Sequence, residues 1–123
     1  MAGRIEVYLH SDGVTQNKGG AMVEVTCQTD FGAKSPEFLN FAKFAARMAY
    51  GFEAKTWQDL INLVPEVYDK KVELEKTLGE KVTVRQISRM VITPDYVLDE
   101  EAAAPGRKTV VRDENGKIIG RQG

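Results

Sequence analysis

The sequence is poor in several residue types on which common folds and enzymes depend. Its 123 residues include one cysteine, one histidine, one tryptophan and four prolines. A single cysteine cannot form an intrachain disulfide, which excludes a disulfide-stapled domain and favours a reducing compartment. No apolar run approaches the length of a membrane-spanning helix, and residues 1–6 contain no apolar signal-peptide stretch. We therefore expect a soluble, cytoplasmic protein without a membrane partner.

Neither sign of charge is in excess. Lys and Arg number 17 and Asp and Glu number 18, which gives a formal net charge of −1. Because a phosphate backbone attracts a basic face, we expect no nucleic-acid partner. A chain of this length forms one core, and its 42% hydrophobic content is too high for a wholly disordered protein. These numbers also exclude a two-domain enzyme with a cleft between its halves.

Charge divides the sequence into a body and a tail. Residues 1–92 carry twelve acidic and twelve basic side chains, whereas residues 93–104 have a net charge of −4 and residues 105–123 a net charge of +3. We predict a domain over 1–92 and a linker and tail over 93–123. In the tail, Asn115-Gly116 lies between apolar pairs, a pattern that predicts a β-hairpin over 108–120.

Two segments near the N-terminus alternate as half-buried strands do. The apolar positions of the first strand are Ile5, Val7 and Leu9. Those of the second strand are Ala21, Val23, Val25 and Cys27. The glycine-rich connection between them predicts an antiparallel hairpin with a long loop. A third strand is predicted over 81–92, with a bulge between Val84 and Ile87, where the alternation slips.

Three helices are predicted between the second and third strands. Ser35-Pro36 begins the first helix, whose apolar stripe follows helical spacing. The stripe consists of Phe38, Phe41, Ala42, Ala45, Met48, Ala49 and Phe52. Thr56 begins the second helix, which Pro65 ends, and the third runs over 66–78 with Gly79 as its left-handed cap. The order β-β-α-α-α-β predicts an α+β fold: a three-stranded antiparallel sheet with helices packed on one face, plus the tail hairpin.

The usual catalytic motifs are missing. His10 lies on the polar face of its strand without a nearby acid, which is typical of a surface histidine. Cys27 lies on an apolar face, where a thiol is structural rather than nucleophilic. Residues 106–109 lack the upstream glycine and the residue order of a phosphate-binding loop, and no cluster has metal-ligand spacing. We therefore predict no catalytic residues, no metal and no cofactor, and hence not an enzyme.

One short segment, Thr29-Asp30-Phe31-Gly32, places an acid, a large aromatic and a glycine between a strand and a capped helix. Two interpretations are open. Asp30 caps a turn while Phe31 folds back into the core, as large apolar side chains usually do. Alternatively, Phe31 is exposed and contacts a partner.

Residues 23–34, Val-Glu-Val-Thr-Cys-Gln-Thr-Asp-Phe-Gly-Ala-Lys, closely resemble the signature of the translation elongation factor Ts family. Residues 78–85, Leu-Gly-Glu-Lys-Val-Thr-Val-Arg, resemble a second block of that family. The resemblance covers residues 4–92, one core subdomain, and the tail matches nothing in the family. Two positions depart from the signature: Thr26 replaces the usual Asn and Gly32 the usual Val. We expect Gly32 to loosen the turn and to weaken the guanine-nucleotide exchange that the family resemblance implies.

The resemblance implies a guanine-nucleotide exchange factor that binds elongation factor Tu and promotes GDP release. It implies that Phe31 is a wedge with Asp30 as its polar companion, flanked by Thr29 and Gly32, and that Leu78 and Gly79 also contact the GTPase. Family members usually carry an N-terminal helical domain, and many have a second core subdomain. With a single core subdomain, this sequence is expected to form a homodimer through its sheet.

Two other functions remain open at this point. The domain binds elongation factor Tu as an adaptor without exchange activity, or it is a structural or oligomerisation protein that has lost this partner.

Overall fold

The computed structural model describes residues 1–92, 109–112 and 118–122. The chain divides into two compact units, Met1–Val91 and Ile92–Gly123. The first unit contains three strands, β1 (Ala2–His10), β2 (Gly19–Cys27) and β3 (Thr83–Val91). Its helices are α1 (Asp30–Ala33), α2 (Pro36–Gly51), α3 (Trp57–Leu63) and α4 (Pro65–Leu78). The α+β class is confirmed, with one difference: α1 is a single helical turn where the sequence predicts an irregular turn.

The three strands form one antiparallel sheet in the order β1-β2-β3. β1 and β2 pair without interruption from Ala2 opposite Cys27 to His10 opposite Gly19. The register between β2 and β3 shifts by one residue at Arg85. Glu24 is opposite Gln86, and the next residue of β2, Val25, is opposite Val84. The extra residue on β3 is the predicted bulge, which lets the strand keep apolar side chains on the helix side before and after it.

The core lies between β2 and α2. Ala21, Val23, Val25 and Cys27 point from β2 toward the helices and are 3% exposed or less. Opposite them, the stripe of α2 is largely confirmed: Phe38, Phe41, Ala42, Ala45 and Ala49 are buried. Phe52 was predicted in the stripe but is 49% exposed, because α2 ends at Gly51 and Phe52 is its C-cap. The core therefore resembles the prediction except at the last turn of α2.

β1 is a strand, as predicted, but its apolar side chains face the opposite way from those of β2. Tyr8 is paired with the buried Ala21 and shares its face. Ile5, Val7 and Leu9 point to the opposite face of the sheet and are 60%, 45% and 57% exposed. On the side of the sheet where none of the described helices lies, here called the helix-free face, these side chains form an apolar stripe that is open to solvent.

The helix ends follow the predicted caps. The Ser35 hydroxyl accepts a hydrogen bond from the Phe38 amide, and Pro36 is the first residue of α2. The Thr56 hydroxyl accepts from the Asp59 amide at 3.0 Å. Gly79 is left-handed, with φ 70°, and its amide donates to the Glu75 carbonyl. Side-chain caps satisfy amides that lack partners inside a helix, so Ser35 and Thr56 fix where α2 and α3 begin.

The second unit contains β4 (Thr109–Arg112) and β5 (Ile118–Gln122), which pair antiparallel from Thr109 opposite Gln122. The two tail strands predicted from sequence are therefore present as a pair. The Asn115-Gly116 turn and residues 93–108 of the predicted linker and tail lie outside the described residues. Within the part of the chain that is described, no helix combines the length and apolar character needed to cross a membrane.

Candidate functional site

The segment singled out from sequence forms α1, a one-turn helix between β2 and α2. Thr29 is its N-cap, and the Thr29 hydroxyl accepts a hydrogen bond from the Gly32 amide at 3.0 Å. The Ser35 hydroxyl donates to the Gly32 carbonyl at 2.8 Å, which ties the end of α1 to the start of α2. Asp30 is the first residue of α1 and is exposed. The interpretation that Asp30 caps the turn is therefore wrong, because Thr29 makes the cap.

Phe31 points into solvent and is 86% exposed. Its neighbours in α1, Gly32 and Ala33, are buried and anchor the turn to the domain. The alternative in which Phe31 folds back into the core is thus excluded. A large aromatic side chain in this position adds nothing to the core, whereas it offers an apolar surface to a partner.

The turn is held from the far end of the sequence by Glu80. Its Oε1 accepts hydrogen bonds from the amides of Gln28, at 2.9 Å, and Thr29, at 3.0 Å. Its Oε2 accepts from the Thr29 hydroxyl at the short distance of 2.5 Å. In return, the Gln28 side-chain oxygen accepts from the Lys81 amide at 3.3 Å. These four bonds join the two sequence blocks, which lie about fifty residues apart, into one surface.

The Glu80 carboxyl has a pKa below its ordinary value. The hydrogen bond from the Thr29 hydroxyl is the largest cause, partial desolvation opposes it, and the amide bonds from Gln28 and Thr29 add to it. Hydrogen bonds donated to a carboxylate favour its charged form. Glu80 is therefore an anion at neutral pH and acts as an acceptor for all three donors.

Gly32 is buried beside this carboxylate. A Cβ placed on Gly32 would lie 2.9 Å from both Glu80 carboxylate oxygens, closer than Cβ atoms approach oxygen in proteins. The expectation that Gly32 loosens the turn does not match this geometry, because Gly32 is helical and tightly enclosed. The glycine leaves room for the Glu80 side chain, which makes the hydrogen bonds to Gln28 and Thr29.

Leu78 and Gly79, the other predicted contact residues, lie at the end of α4. Leu78 is half-buried against the core, and Gly79 is exposed. The connection that follows is fixed by Glu75, whose Oε2 accepts a hydrogen bond from the Val82 amide at 2.8 Å. Since Glu80 directly follows Gly79, the structure brings this connection to the base of α1.

Two residues discounted as catalytic have defined structural roles. Cys27 is buried, as predicted; its thiol donates to the Thr29 carbonyl at 3.2 Å, and burial raises the pKa of the thiol. His10 is half-buried rather than on the surface, because its face of β1 turns toward α2. It accepts or donates a hydrogen bond with the Tyr8 hydroxyl at 2.8 Å and stacks on Tyr50. Among the described residues, no three His, Cys, Asp or Glu side chains cluster as metal ligands do.

Sequence reasoning missed Glu80 as a site residue. Glu80 lies within the second sequence block, but no neighbouring residue in the sequence indicates that its carboxylate contacts residues 28 and 29. One signal was available. The first block follows β2 and the second block precedes β3, and antiparallel pairing of these strands brings both blocks to the same end of the sheet.

The fold and the site define a class of protein: an α+β domain that presents one phenylalanine to solvent on a capped helical turn. No family model matches the chain. Curated proteins named Elongation factor Ts do match it. One is from Clostridium botulinum (strain Eklund 17B / Type B), with 31% identity over 97 residues, covering 73% of this chain and 30% of that protein.

Two further relatives carry the same name. The Elongation factor Ts of Methylococcus capsulatus is 34% identical over 92 residues, covering 72% of this chain and 30% of the relative. That of Renibacterium salmoninarum is 40% identical over 80 residues, covering 61% and 28%. The chain thus spans about 30% of the length of the curated relatives it matches. These matches support a relationship between this chain and elongation factor Ts.

Proposed function

We propose that the chain is a member of the elongation factor Ts family that binds elongation factor Tu and promotes release of GDP. It then acts in protein biosynthesis in the cytoplasm, as an exchange factor and not as a catalyst of covalent chemistry. The observation that carries the proposal is Phe31, 86% exposed on a helical turn whose cap and buried residues are fixed. Asp30 beside it supplies the polar contact, and Leu78 and Gly79 extend the surface.

The energetics of exchange are those of linkage. A protein that binds the nucleotide-free GTPase more tightly than the GDP-bound form weakens GDP binding by the same factor. Each tenfold effect requires about 1.4 kcal/mol of differential binding. Burial of one Phe side chain provides roughly 1.5–3 kcal/mol. Burial of Phe31 alone is therefore sufficient to weaken GDP binding by about one to two orders of magnitude.

The direct thermodynamic test compares the affinity of the chain for two forms of elongation factor Tu by titration calorimetry. We expect the dissociation constant for the nucleotide-free form to be at least about tenfold lower than that for the GDP-bound form. Equal affinities would contradict exchange and would correspond to an adaptor. Absence of binding to both forms would correspond to a structural protein that has lost this partner.

We also propose that the domain forms a homodimer through the helix-free face of its sheet. Ile5, Val7 and Leu9 on β1 lie on this face with Met22 on β2 and Met90 on β3, all at least 45% exposed. Monomeric proteins rarely expose contiguous apolar patches of this kind. The body has no net charge, so two copies do not repel each other. A two-fold axis that runs parallel to the sheets, midway between the two copies, packs each stripe against its copy, and sheets packed face to face in this way lie about 10 Å apart.

Lysine at both Val7 and Leu9 is expected to convert the dimer into a monomer, because burying two unpaired ammonium groups opposes association. Size-exclusion chromatography with light scattering measures the mass, which we expect to be twice the chain's 13.7 kDa for the wild type. Leu63→Lys, at a 50% exposed site on α3, is the matched control and should remain dimeric. A monomeric wild type, or a dimeric double variant, would rule this interface out.

A further inference from the structure

A single acidic side chain connects all parts of the candidate site. Glu80 accepts from the amides of Gln28 and Thr29 and from the Thr29 hydroxyl. The same hydroxyl accepts from the Gly32 amide, which closes α1. Glu80 therefore acts on α1 through Thr29: the carboxylate orients the hydroxyl, and the hydroxyl caps the helical turn.

The turn needs this support because it is short. α1 has four residues, and one isolated helical turn is unstable in water, since nucleation fixes several backbone angles for a single hydrogen bond. Phe31 itself is 86% exposed and contributes little packing that would hold the turn. The buried neighbours and the cap must do so, and the cap depends on Glu80.

We propose that Glu80 is a positioning residue that holds the Thr29 cap and so keeps Phe31 in the orientation that its partner binds. This inference rests on the proposed function. Glu80 itself directly follows Gly79, so the same side chain fixes the distance between the Phe31 turn and the Leu78–Gly79 connection. Preorganised contacts cost less ordering free energy when a partner binds.

Gly32 leaves the space that the Glu80 carboxylate occupies. A methyl group on Gly32 would lie 2.9 Å from both carboxylate oxygens and would push the carboxylate away from Gln28 and Thr29. With Ala at position 80 that conflict disappears, and Ala at position 32 favours a helix more than Gly does. The two positions should therefore be coupled, with effects that do not add.

The expected effects are on affinity. If removal of the carboxylate leaves α1 ordered in about one molecule in ten, the concentration of chain needed for half-maximal GDP release from elongation factor Tu rises about tenfold. The maximal rate at saturation should not change, since the bound turn is ordered. Glu80→Gln keeps one acceptor oxygen and should have a smaller effect, about threefold. Gly32→Ala should resemble Glu80→Ala, and the double variant should be no worse than either single variant.

The experiment measures GDP release against the concentration of full-length chain for the wild type and these variants. Amide hydrogen exchange at Gln28, Thr29 and Gly32 and the thermal midpoint are measured on the same samples. Glu73→Ala removes an exposed carboxylate from α4 and is the matched control; it should match the wild type. In Glu80→Ala we expect faster hydrogen exchange at these three amides. Amides elsewhere in the core should exchange as slowly as they do in the wild type.

The outcomes separate the two proposals. A wild-type chain that does not speed GDP release overturns the proposed function and, with it, this role of Glu80. A wild-type chain that does so, together with Glu80→Ala of unchanged half-saturation or with additive effects at Gly32 and Glu80, overturns the positioning role alone. Should Glu80→Ala unfold at the assay temperature, the shift in half-saturation for Glu80→Gln decides, and no shift overturns the proposal.

Discussion

Replacing Phe31 with alanine is expected to slow the chain's stimulation of GDP release from elongation factor Tu about tenfold to a hundredfold. The side chain is 86% exposed in the free protein, so nearly all of its burial takes place in the complex. Losing that burial costs roughly 1.5–3 kcal/mol, which corresponds to one to two orders of magnitude. Stopped-flow release of a fluorescent GDP analogue measures the rate. The thermal midpoint should be unchanged, because an exposed ring adds little to folding.

The matched control is Phe52→Ala. Phe52 is also a phenylalanine at a helix end and is 49% exposed, but it follows the C-terminus of α2. α2 has 16 residues, so its two ends are about 24 Å apart at 1.5 Å per residue. The Phe52→Ala variant should stimulate GDP release from elongation factor Tu as strongly as the wild type does. Equal losses in the two variants would mean that exposed aromatics act nonspecifically, and no loss in Phe31→Ala would remove the wedge from the mechanism.

Replacing Phe38 with alanine is expected to lower the free energy of unfolding by about 3–5 kcal/mol. Phe38 is fully buried in the first turn of α2 and faces the β2 core. Its loss leaves a cavity under the sheet as well as removing apolar contacts. Since small domains are stable by only about 5–15 kcal/mol, the variant should be close to unfolding at 37 °C.

Denaturant unfolding followed by circular dichroism measures this effect. Phe44→Ala is the control on the same helix, because Phe44 is only partly buried against the core. It should lose less than half as much stability as Phe38→Ala. Similar losses at the two positions would contradict the assignment of Phe38 to the centre of the core.

Features encoded by short stretches of sequence were predictable. The Ser35 cap, the left-handed Gly79 and the bulge after Val84 each depend on residues within one or two turns of chain, and each is present. Backbone sterics and local hydrogen bonds determine such features, so neighbouring residues are enough to identify them. The turn at Phe31 was located for the same reason.

The direction in which β1 faces was not predictable from its alternation. Alternation gives a period of two residues but does not say which set of side chains meets the helices, because that depends on the register with β2. In the structure the less apolar set, including Tyr8 and His10, faces inward. Ile5, Val7 and Leu9 face outward, which is the arrangement that a second copy would cover.

The role of Glu80 was not predictable either. Its hydrogen-bond partners, Gln28 and Thr29, lie more than fifty residues earlier in the chain. Such a contact follows from the packing of α4 and β3 beside β2, and no local pattern specifies it. The enclosed position of Gly32 was not predictable for the same reason: its neighbour in space is Glu80, whereas its neighbours in sequence suggest only a flexible turn.

The most direct measurement of the proposed function is the rate at which GDP leaves elongation factor Tu with increasing amounts of the wild-type chain. A fluorescent GDP analogue and an excess of unlabelled GDP report this rate in stopped flow. We expect the rate to rise with chain concentration and to reach a plateau at least tenfold above spontaneous release, with Phe31→Ala well below it. A rate that stays at the spontaneous value at every concentration of wild-type chain would contradict the assignment of exchange activity to this domain.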